Sequence, residues 1–285
     1  MRKIPFWRQL FTQLALCVVG LFVILPIWGM SRLAFDGSLH GRPTDFLFFP
    51  KQFSLVAFLK IFDRPYSSVQ FSTLLQNSLI VSFGAAIIAI VLGASLAYAF
   101  ARFRFPGRRS GLFILLLTAI LPPVAFMIPL YVFLSLLGIR ATLFGLTIVY
   151  AVFAMPFCIW NMRAAFQAVP KDLEEAAFLD GADNLTAFGY VTLPLALPSI
   201  AIAGLIAFLM AYSEFAIGFF FVEKPSTVTL AMAVYSMVQT QYNSGAQPWS
   251  YLGSMALIMS IPIVIIFIIL QRTLLERMLF GNTGD

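Results

Sequence analysis

The chain has 285 residues, of which 61% are hydrophobic and only 11% are charged. Soluble domains average about 45–50% apolar and about 25% charged residues, so the composition excludes an ordinary soluble protein and indicates a lipid environment. The formal net charge of +6 does not indicate nucleic-acid binding, because the basic residues are divided among the connections between long apolar runs. Both cysteines lie inside such runs, which favours neither a disulfide framework nor a metal site.

Six apolar stretches are long enough to cross a bilayer, which requires roughly 20 helical residues. They cover residues 11–31, 73–101, 111–136, 142–162, 196–222 and 251–271. A transmembrane barrel would instead show runs of about ten residues with alternating polarity. The sequence therefore predicts an all-α integral membrane protein with six transmembrane helices in one domain, 1–285. The first run exceeds the roughly 7–15 residues of a signal-peptide core, so we expect a retained helix.

Prolines and one acid interrupt these runs. Pro122, Pro123 and Pro129 lie close together in the third run, and proline removes a backbone donor and kinks a helix, so we expect a bent or broken helix there. Glu214 is the one acid well inside an apolar run. A charge at the bilayer centre costs about 2.5–3.5 kcal/mol on insertion scales. We therefore expect its side chain to face protein or water, either in a translocation path or in a hydrogen bond between helices.

Three further features are readable between and within the runs. The stretch KQFSLVAFLKIF (51–62) predicts a short interfacial helix, and the apolar part of 223–250 predicts a short re-entrant or amphipathic segment. Small residues in the second run, among them Gly84 and Gly93, predict close contact between helices, since small side chains let helix backbones approach in lipid.

The placement of arginine and lysine predicts the orientation in the membrane. The connection ARFRFPGRRS (101–110) carries four arginines, whereas the next short connection carries only Arg140. Short cytoplasmic loops are enriched in positive charge. We therefore expect the arginine-rich connection and both termini to lie in the cytoplasm.

The connection between the fourth and fifth runs is rich in acids and helix formers, and reads EEAAFLDGADNLTAFGYVTLPLALP over 174–198. Pro170 suits a helix start, and the acids that follow suit the positive end of the helix dipole. Gly181 suits a left-handed helix stop, and Asp183 or Asn184 can cap a second helix. The pattern predicts two short helices joined at a glycine.

The ends and faces of this segment suggest what it does. Pro194 and Pro198 predict the turn back into the membrane. Glu174, Glu175 and Phe178 are expected to share one helix face, which gives the first helix an acidic rim with a few apolar side chains. Such a helix suits a groove on a soluble partner, and a solvated connecting helix is the alternative.

The segment resembles the EAA signature of the permease subunits of bacterial ABC importers. Glu175-Ala176-Ala177, Gly181, Val191 and Leu193-Pro194 keep the order and spacing of that signature, with Val191 where the family usually has isoleucine. Other stretches resemble the carbohydrate-uptake branch, and within it the smaller six-helix permease typified by the maltose transporter's G subunit: NSLIVS (77–82), AYAFARFRFPGRR (97–109), LPPVAFMIPLY (121–131) and MPFCIWNMRAAFQAVPKDLEEAAFLDGA (155–182). Ser213-Glu214-Phe215 resembles that branch's Asn-Glu-Phe.

The resemblance implies a type I importer permease fold in the bacterial cytoplasmic (inner) membrane and import of a sugar or oligosaccharide. The partners that it implies are a second, homologous permease, two ATPase subunits, an extracytoplasmic solute-binding protein and membrane lipid, with no nucleic acid. The chain lacks the G-x-x-x-x-G-K-[ST] phosphate loop. We therefore expect a non-catalytic subunit that binds no cofactor, with ATP and Mg²⁺ held by the separate ATPase.

The resemblance also assigns candidate site residues. It makes the connection 165–195 a coupling loop, in which the expected ATPase-coupling residues are Glu174, Glu175, Ala176, Ala177, Phe178, Leu179, Asp180, Gly181 and Pro194. Candidate residues of the translocation path, chosen as polar residues within the apolar runs, are Asn77, Ser82, Asn161, Ser213 and Glu214.

Three alternatives remain open at this stage. A stand-alone secondary transporter or channel would need ionisable residues within several helices, and Glu214 alone is available. An integral membrane enzyme would need clustered catalytic groups, and the single histidine, His40, stands in a loop. Within the importer interpretation, the solute could be a glycerol-phosphate-type compound or another polyol rather than a sugar.

Overall fold

The computed structural model describes residues 5–38, 47–63, 66, 68–244 and 249–280, so His40 lies outside the described residues. The α-helices in chain order are α1 (Phe6–Ala34), α2 (Val56–Asp63), α3 (Phe71–Arg102), α4 (Arg108–Ile120), α5 (Met127–Leu136), α6 (Leu143–Ala168), α7 (Lys171–Leu179), α8 (Asn184–Ala187), α9 (Leu193–Leu195), α10 (Leu197–Ser213), α11 (Ala216–Phe221), α12 (Leu230–Ser244) and α13 (Trp249–Phe280). Pro123–Phe126 and Pro225–Thr227 form 3₁₀ turns, and Phe188–Thr192 is π-helical. Within the described residues, extended pairing is limited to isolated bridges.

The predicted all-α membrane fold is confirmed. Five helical segments are long and apolar enough to cross a membrane: Phe6–Ala34, Phe71–Arg102, Leu143–Ala168, Asn184–Ser213 and Trp249–Gln271. The pair Arg108–Ile120 and Pro123–Leu136 passes the same test together, and counting it as one broken span gives the predicted six. The short helices α2 and α12 lie in the connections where 51–62 and 223–250 predict them.

The third span is broken where the sequence places its prolines. The helix direction bends by 105° between the two halves. Leu121 and Pro122, which lie between them, have extended backbone conformations. Pro123 then opens the 3₁₀ turn, where a missing N–H costs no helical hydrogen bond. The prediction of a bent or broken helix is therefore correct.

Backbone contacts group the described residues into two compact units, residues up to 71 with 234–261, and residues 72–233 with 262–280. In the first unit, Arg32 and Asp36 form a buried ion pair, with 3.3 Å between Nη2 and Oδ2. Burial raises the pKa of the Asp36 carboxyl, but hydrogen bonds from Ser38 and from the Lys51 backbone together lower it by more than burial raises it. The pKa therefore lies below its ordinary value. Ser254 of α13 donates a hydrogen bond to the Ala34 carbonyl at the end of α1, at 3.2 Å.

Small residues bring α3, α6 and α10 together in the second unit. A Cβ added to Gly84 would lie 2.8 Å from Thr147 Cγ2, and one added to Gly93 would lie 3.0 Å from Met162 Cε. A Cβ on Gly204 of α10 would lie 2.5 Å from Ile90 Cδ1. The predicted use of small residues for close helix contact is thus confirmed.

Two predictions about the fifth run are wrong. Pro194 and Pro198 do not turn the chain, because each falls in the first turn of a helical segment, where no helical N–H is required. The π-helical turn just before Pro194 is wider than an α-helical turn, which reduces the clash between the Pro194 ring and the carbonyl groups of that turn. The predicted helix over 196–222 is interrupted, since α10 ends at Ser213 and Glu214 is extended before α11 begins.

Candidate functional site

The predicted pair of helices joined at a glycine is present. Because α6 extends to Ala168, the predicted coupling loop, 165–195, includes the end of that helix, and from here on we use the name coupling loop for residues 170–195. The helix α7 ends in a Schellman motif, in which Gly181 N–H bonds to the Phe178 carbonyl at 3.1 Å and Ala182 N–H bonds to the Ala177 carbonyl at 3.0 Å. Gly181 has a φ of +89°, a left-handed conformation that glycine adopts without the steric cost of a Cβ.

Asp183 begins the second helix. Its carboxylate accepts a hydrogen bond from the Thr186 N–H at 2.8 Å, which makes it the N-cap of α8. The hydrogen bonds from the Thr186 hydroxyl and N–H hold the pKa of the Asp183 carboxyl below its usual value. The capped form is therefore present above the ordinary pKa of aspartate, and it is lost as the pH falls through the lowered value.

A buried ion pair attaches the coupling loop to the membrane helices. Arg102, the last residue of α3, places its Nε 2.9 Å from Glu174 Oε2, and both side chains are 7% exposed. Its Nη2 also donates to the Val169 carbonyl at 2.9 Å, and the Thr192 hydroxyl donates to the Glu174 carboxylate. We call Arg102, Val169, Glu174 and Thr192 the clamp, because together they join α3, the end of α6, α7 and the π-helical turn.

An aromatic cluster supports the same junction. The ring centroids of Tyr98 and Phe188 lie 4.5 Å apart, and those of Phe166 and Phe188 lie 5.7 Å apart. Phe166 and Tyr98 belong to α6 and α3, whereas Phe188 belongs to the coupling loop. The Phe166–Phe188 pair is edge-to-face and the Tyr98–Phe188 pair is tilted. Aromatic pairs contribute about 0.5–1.5 kcal/mol each beyond burial, so the inner side of the loop is held by packing as well as by charge.

The exposed surface of the coupling loop is polar with several apolar side chains, of which three are the most exposed. Leu179, Leu185 and Tyr190 are 90%, 78% and 83% exposed. The carboxylates of Glu175 and Asp180 are exposed beside them. We call these five residues the outer face. It offers apolar anchors with an acidic surround, a chemistry that suits a groove on another protein.

The structure divides the predicted coupling residues between the two sides of the loop. Those on exposed surface are Glu175, Ala176, Phe178, Leu179, Asp180, Gly181 and Pro194, and Ala177 is half-buried. Glu174 was expected on the acidic rim with Glu175, and this placement is wrong, because Glu174 is 5% exposed and lies within the clamp. Arg102, Thr192, Leu185 and Tyr190 belong to the site but are absent from the prediction.

Glu214 lies at the break between α10 and α11. Its carboxylate oxygens accept hydrogen bonds from the N–H groups of Ile217 at 2.9 Å and Gly218 at 3.2 Å. The carboxylate therefore caps α11, and it also interacts with the side chain of the buried Tyr150 of α6. Gly218 packs tightly, since a Cβ added to it would lie 2.7 Å from the Tyr150 hydroxyl.

The other candidate path residues make separate contacts. Asn77 is buried, and its Nδ2 donates to the Ser226 and Val228 carbonyls at 2.8 and 2.9 Å, so its amide joins α3 to the segment before α12. Ser82 is buried and Ser213 is exposed, and each donates to a carbonyl of its own helix. Asn161 is half-buried, and its Oδ1 has no hydrogen-bond partner among the described residues. Their role in a path stays a prediction.

The fold matches that of a solved importer. A bacterial ABC transporter that imports the acidic polysaccharide alginate contains a chain with a TM-score of 0.74 and 20% sequence identity, and the match covers 95% of this chain and 99% of that one. The architecture is therefore the type I ABC importer permease fold.

Sequence comparisons agree with the fold. The trehalose transport system permease protein SugB of Mycobacterium tuberculosis is 30% identical over 284 residues, which cover 98% of this chain and 97% of that protein. The maltodextrin transport system permease protein MdxG of Bacillus subtilis is 26% identical over 277 residues, covering 97% of this chain and 96% of that protein. Residues 89–280 match the model of the binding-protein-dependent transport system inner membrane component family.

This chain belongs to that family of inner membrane transport components. It is a permease subunit of a binding-protein-dependent ABC importer, and it spans the cytoplasmic membrane several times. Among the described residues, no group of three or more His, Cys, Asp or Glu side chains could hold a metal ion.

Proposed function

We propose that this chain is one of two non-identical permease subunits that import a carbohydrate, driven by a separate pair of ATPase subunits. An extracytoplasmic solute-binding protein delivers the sugar or oligosaccharide. The observation that carries the substrate class is the likeness to a trehalose permease, which extends over 98% of the chain at 30% identity. The maltodextrin relative supports the same class over nearly the whole chain.

The outer face of the coupling loop is the proposed docking surface for an ATPase subunit. Leu179 is the most prominent apolar anchor, since 90% of its surface is exposed at the end of α7. Burial of a leucine side chain stabilises an interface by about 1.5–3 kcal/mol. Glu175 and Asp180 beside it would meet basic or hydrogen-bond-donating groups around the groove, which favours a fixed orientation.

The clamp is the proposed element that transmits motion from the ATPase to the membrane helices. A displacement of α7 reaches α3 through the Arg102–Glu174 ion pair and reaches the end of α6 through the Arg102–Val169 hydrogen bond. A buried, hydrogen-bonded ion pair resists separation, because breaking it leaves uncompensated charge away from water. ATP-driven closure of the ATPases would thus move the helices instead of deforming the loop.

The docking surface is tested with the intact importer. Leu179→Asp should release the ATPase subunits during gel filtration and abolish ATP-dependent uptake, because a charge replaces the apolar anchor. Leu136→Asp is the matched control, since Leu136 is 82% exposed at the end of α5 and lies outside the coupling loop. An ATPase complex that survives Leu179→Asp as well as Leu136→Asp would contradict the proposed docking.

The substrate class is tested by uptake into proteoliposomes that contain the chain with its partner subunits and binding protein. Labelled trehalose and a labelled maltodextrin should enter only with internal ATP, and glycerol phosphate should not compete. Competition by glycerol phosphate but not by the sugars would overturn the carbohydrate assignment. Uptake by this chain alone without nucleotide would overturn the assignment to an ATP-driven importer.

A further inference from the structure

A basic cavity lies where the loop between α3 and α4 meets α6. Its volume is about 510 Å³, and four guanidinium groups line it, those of Arg104, Arg108, Arg109 and Arg163, together with the Ser110 side chain. Pockets for small ligands usually range from about 300 to 1,000 Å³. The arginine pocket, as we call it, is large enough for a charged headgroup.

The arginine pocket lacks a counter-ion among the described residues. No aspartate or glutamate lines it, and the ion pairs found among the described residues do not involve any of its arginines. Arg108 and Arg163 also converge, because their Nε atoms lie 3.0 and 3.4 Å from the same Phe100 carbonyl oxygen. Two cations held around one neutral oxygen repel each other, and this repulsion favours an anion beside them.

The dipole of α4 adds to the excess of positive charge at the arginine pocket. Arg108 and Arg109 are the first two residues of α4, and its first turn contains no acid. The N-terminal end of a helix carries a partial positive charge and favours anions, so cationic side chains there are unfavourable. Gly107, the N-cap, offers no side-chain hydrogen bond to the free N–H groups. The Arg108 N–H bonds to the Phe105 carbonyl at 3.3 Å, so the N–H groups of Arg109 and Ser110 are the ones available to an acceptor oxygen.

Apolar surface continues directly from the arginine pocket. None of the residues of α4 is buried, and Phe113, Ile114 and Leu117 are among its exposed side chains. The helix is one half of the broken span. A molecule with an anionic headgroup in the pocket would therefore lay hydrocarbon chains along α4, whereas a free phosphate would leave that surface unused.

We propose that the arginine pocket binds the phosphate headgroup of an anionic phospholipid whose acyl chains lie along α4. Arginine forms paired hydrogen bonds with phosphate oxygens, and basic pockets between transmembrane helices recognise anionic headgroups. Bound lipid would place a negative charge among the four arginines and lay its acyl chains along the first half of the broken third span. It would also act near the clamp, because Phe100 and Arg102 both belong to the last turn of α3.

The test measures the dissociation constant of phosphatidylglycerol for the full-length chain in neutral detergent, with phosphatidylcholine as the uncharged comparison. Phosphatidylglycerol should bind at least tenfold more tightly than phosphatidylcholine. Arg104→Gln/Arg109→Gln should weaken phosphatidylglycerol binding about 25-fold, since each basic residue near a membrane surface contributes about 1 kcal/mol, or about fivefold. Both side chains are exposed and make no described hydrogen bond through the side chain, so this variant should fold normally.

The matched control is Lys171→Gln/Lys224→Gln, which removes the same charge from exposed positions outside the pocket. It should leave the preference for phosphatidylglycerol unchanged. Glycerol phosphate, the soluble headgroup, should bind at least a hundredfold more weakly than phosphatidylglycerol because it lacks the acyl chains. Equal affinity for the two lipids, equal weakening by the control, or equal affinity for glycerol phosphate and the lipid would overturn the proposal.

Discussion

Two glutamates in this apolar chain show how differently a buried or half-buried acid can be used. Glu174 bonds to Arg102 and Thr192, which are 72 and 18 residues away in sequence. Glu214 bonds to the N–H groups of Ile217 and Gly218, three and four residues ahead. The first acid bonds directly to two distant elements, whereas the second caps one short helix and also interacts with Tyr150 of α6. Loss of the first should therefore affect the whole coupling loop, and loss of the second should affect only α11 and its packing against α6.

The largest expected effect is that of Glu174→Gln. It leaves the buried Arg102 guanidinium without its counter-ion, which should lower the free energy of unfolding by about 3–5 kcal/mol. Glu175→Gln changes the neighbouring, exposed acid and should change the free energy of unfolding by less than about 0.5 kcal/mol. Thermal unfolding of the two purified variants in detergent checks this difference, and equal melting temperatures would show that the clamp does not stabilise the fold.

Gly218→Ala tests how tightly the Glu214 site is packed. The added Cβ would lie 1.7 Å from Met232 Cε and 2.7 Å from the Tyr150 hydroxyl, and overpacking of this kind costs about 1–3 kcal/mol. Gly20→Ala is the matched control, because no heavy atom lies within 4 Å of that Cβ. The control should be neutral or slightly stabilising in the same unfolding measurement. A Gly218→Ala variant as stable as wild type would mean that the end of the buried Met232 side chain can move aside.

Gly181→Val separates stability from coupling. A β-branched residue at a φ of +89° should cost about 1–2 kcal/mol and distort the angle between α7 and α8. Gly138→Val carries the same type of strain at a φ of +69° outside the coupling loop. Both variants should lose similar stability, and only Gly181→Val should lower the sugar transported per ATP hydrolysed in proteoliposomes. The same ratio in both variants would argue against a coupling role for the turn.

The smallest expected effect is that of Glu214→Ala. Removal of the carboxylate leaves two N–H groups of α11 without their acceptor, which should cost about 1 kcal/mol, as for other helix caps. Glu214→Gln keeps one acceptor oxygen and should recover about half of that loss. The ATPase should remain attached in both variants on gel filtration. Dissociation of the ATPase from Glu214→Ala would mean that the two glutamates are not independent.

The helices and the coupling loop were largely predictable from the sequence, because their signals are local. The apolar runs identify the spans, the prolines identify the 105° break, and Gly181 and Asp183 identify the ends of α7 and α8. The misplaced turn at Pro194 arises because a π-helical segment precedes it, and no residue pattern distinguishes this segment from an ordinary helix.

The clamp was not predictable, because its signals are not local. Glu174 and Glu175 are adjacent acids about 100° apart around α7, and helix periodicity does not indicate which of them faces inward. Their environments differ because Arg102 and Thr192, from distant parts of the chain, surround Glu174. Leu185 and Tyr190 were missed for the same reason, since each could equally have been core. Exposure distinguishes them only once the fold is known.

A photo-crosslinking side chain at position 179 of the intact importer would test most directly whether the coupling loop is the joint to a separate ATPase. We expect a covalent product with an ATPase subunit, and no such product from the same group at position 136. Reaction of position 179 with a membrane-impermeant reagent added outside intact cells would contradict it, because the outer face could then not meet a cytoplasmic motor.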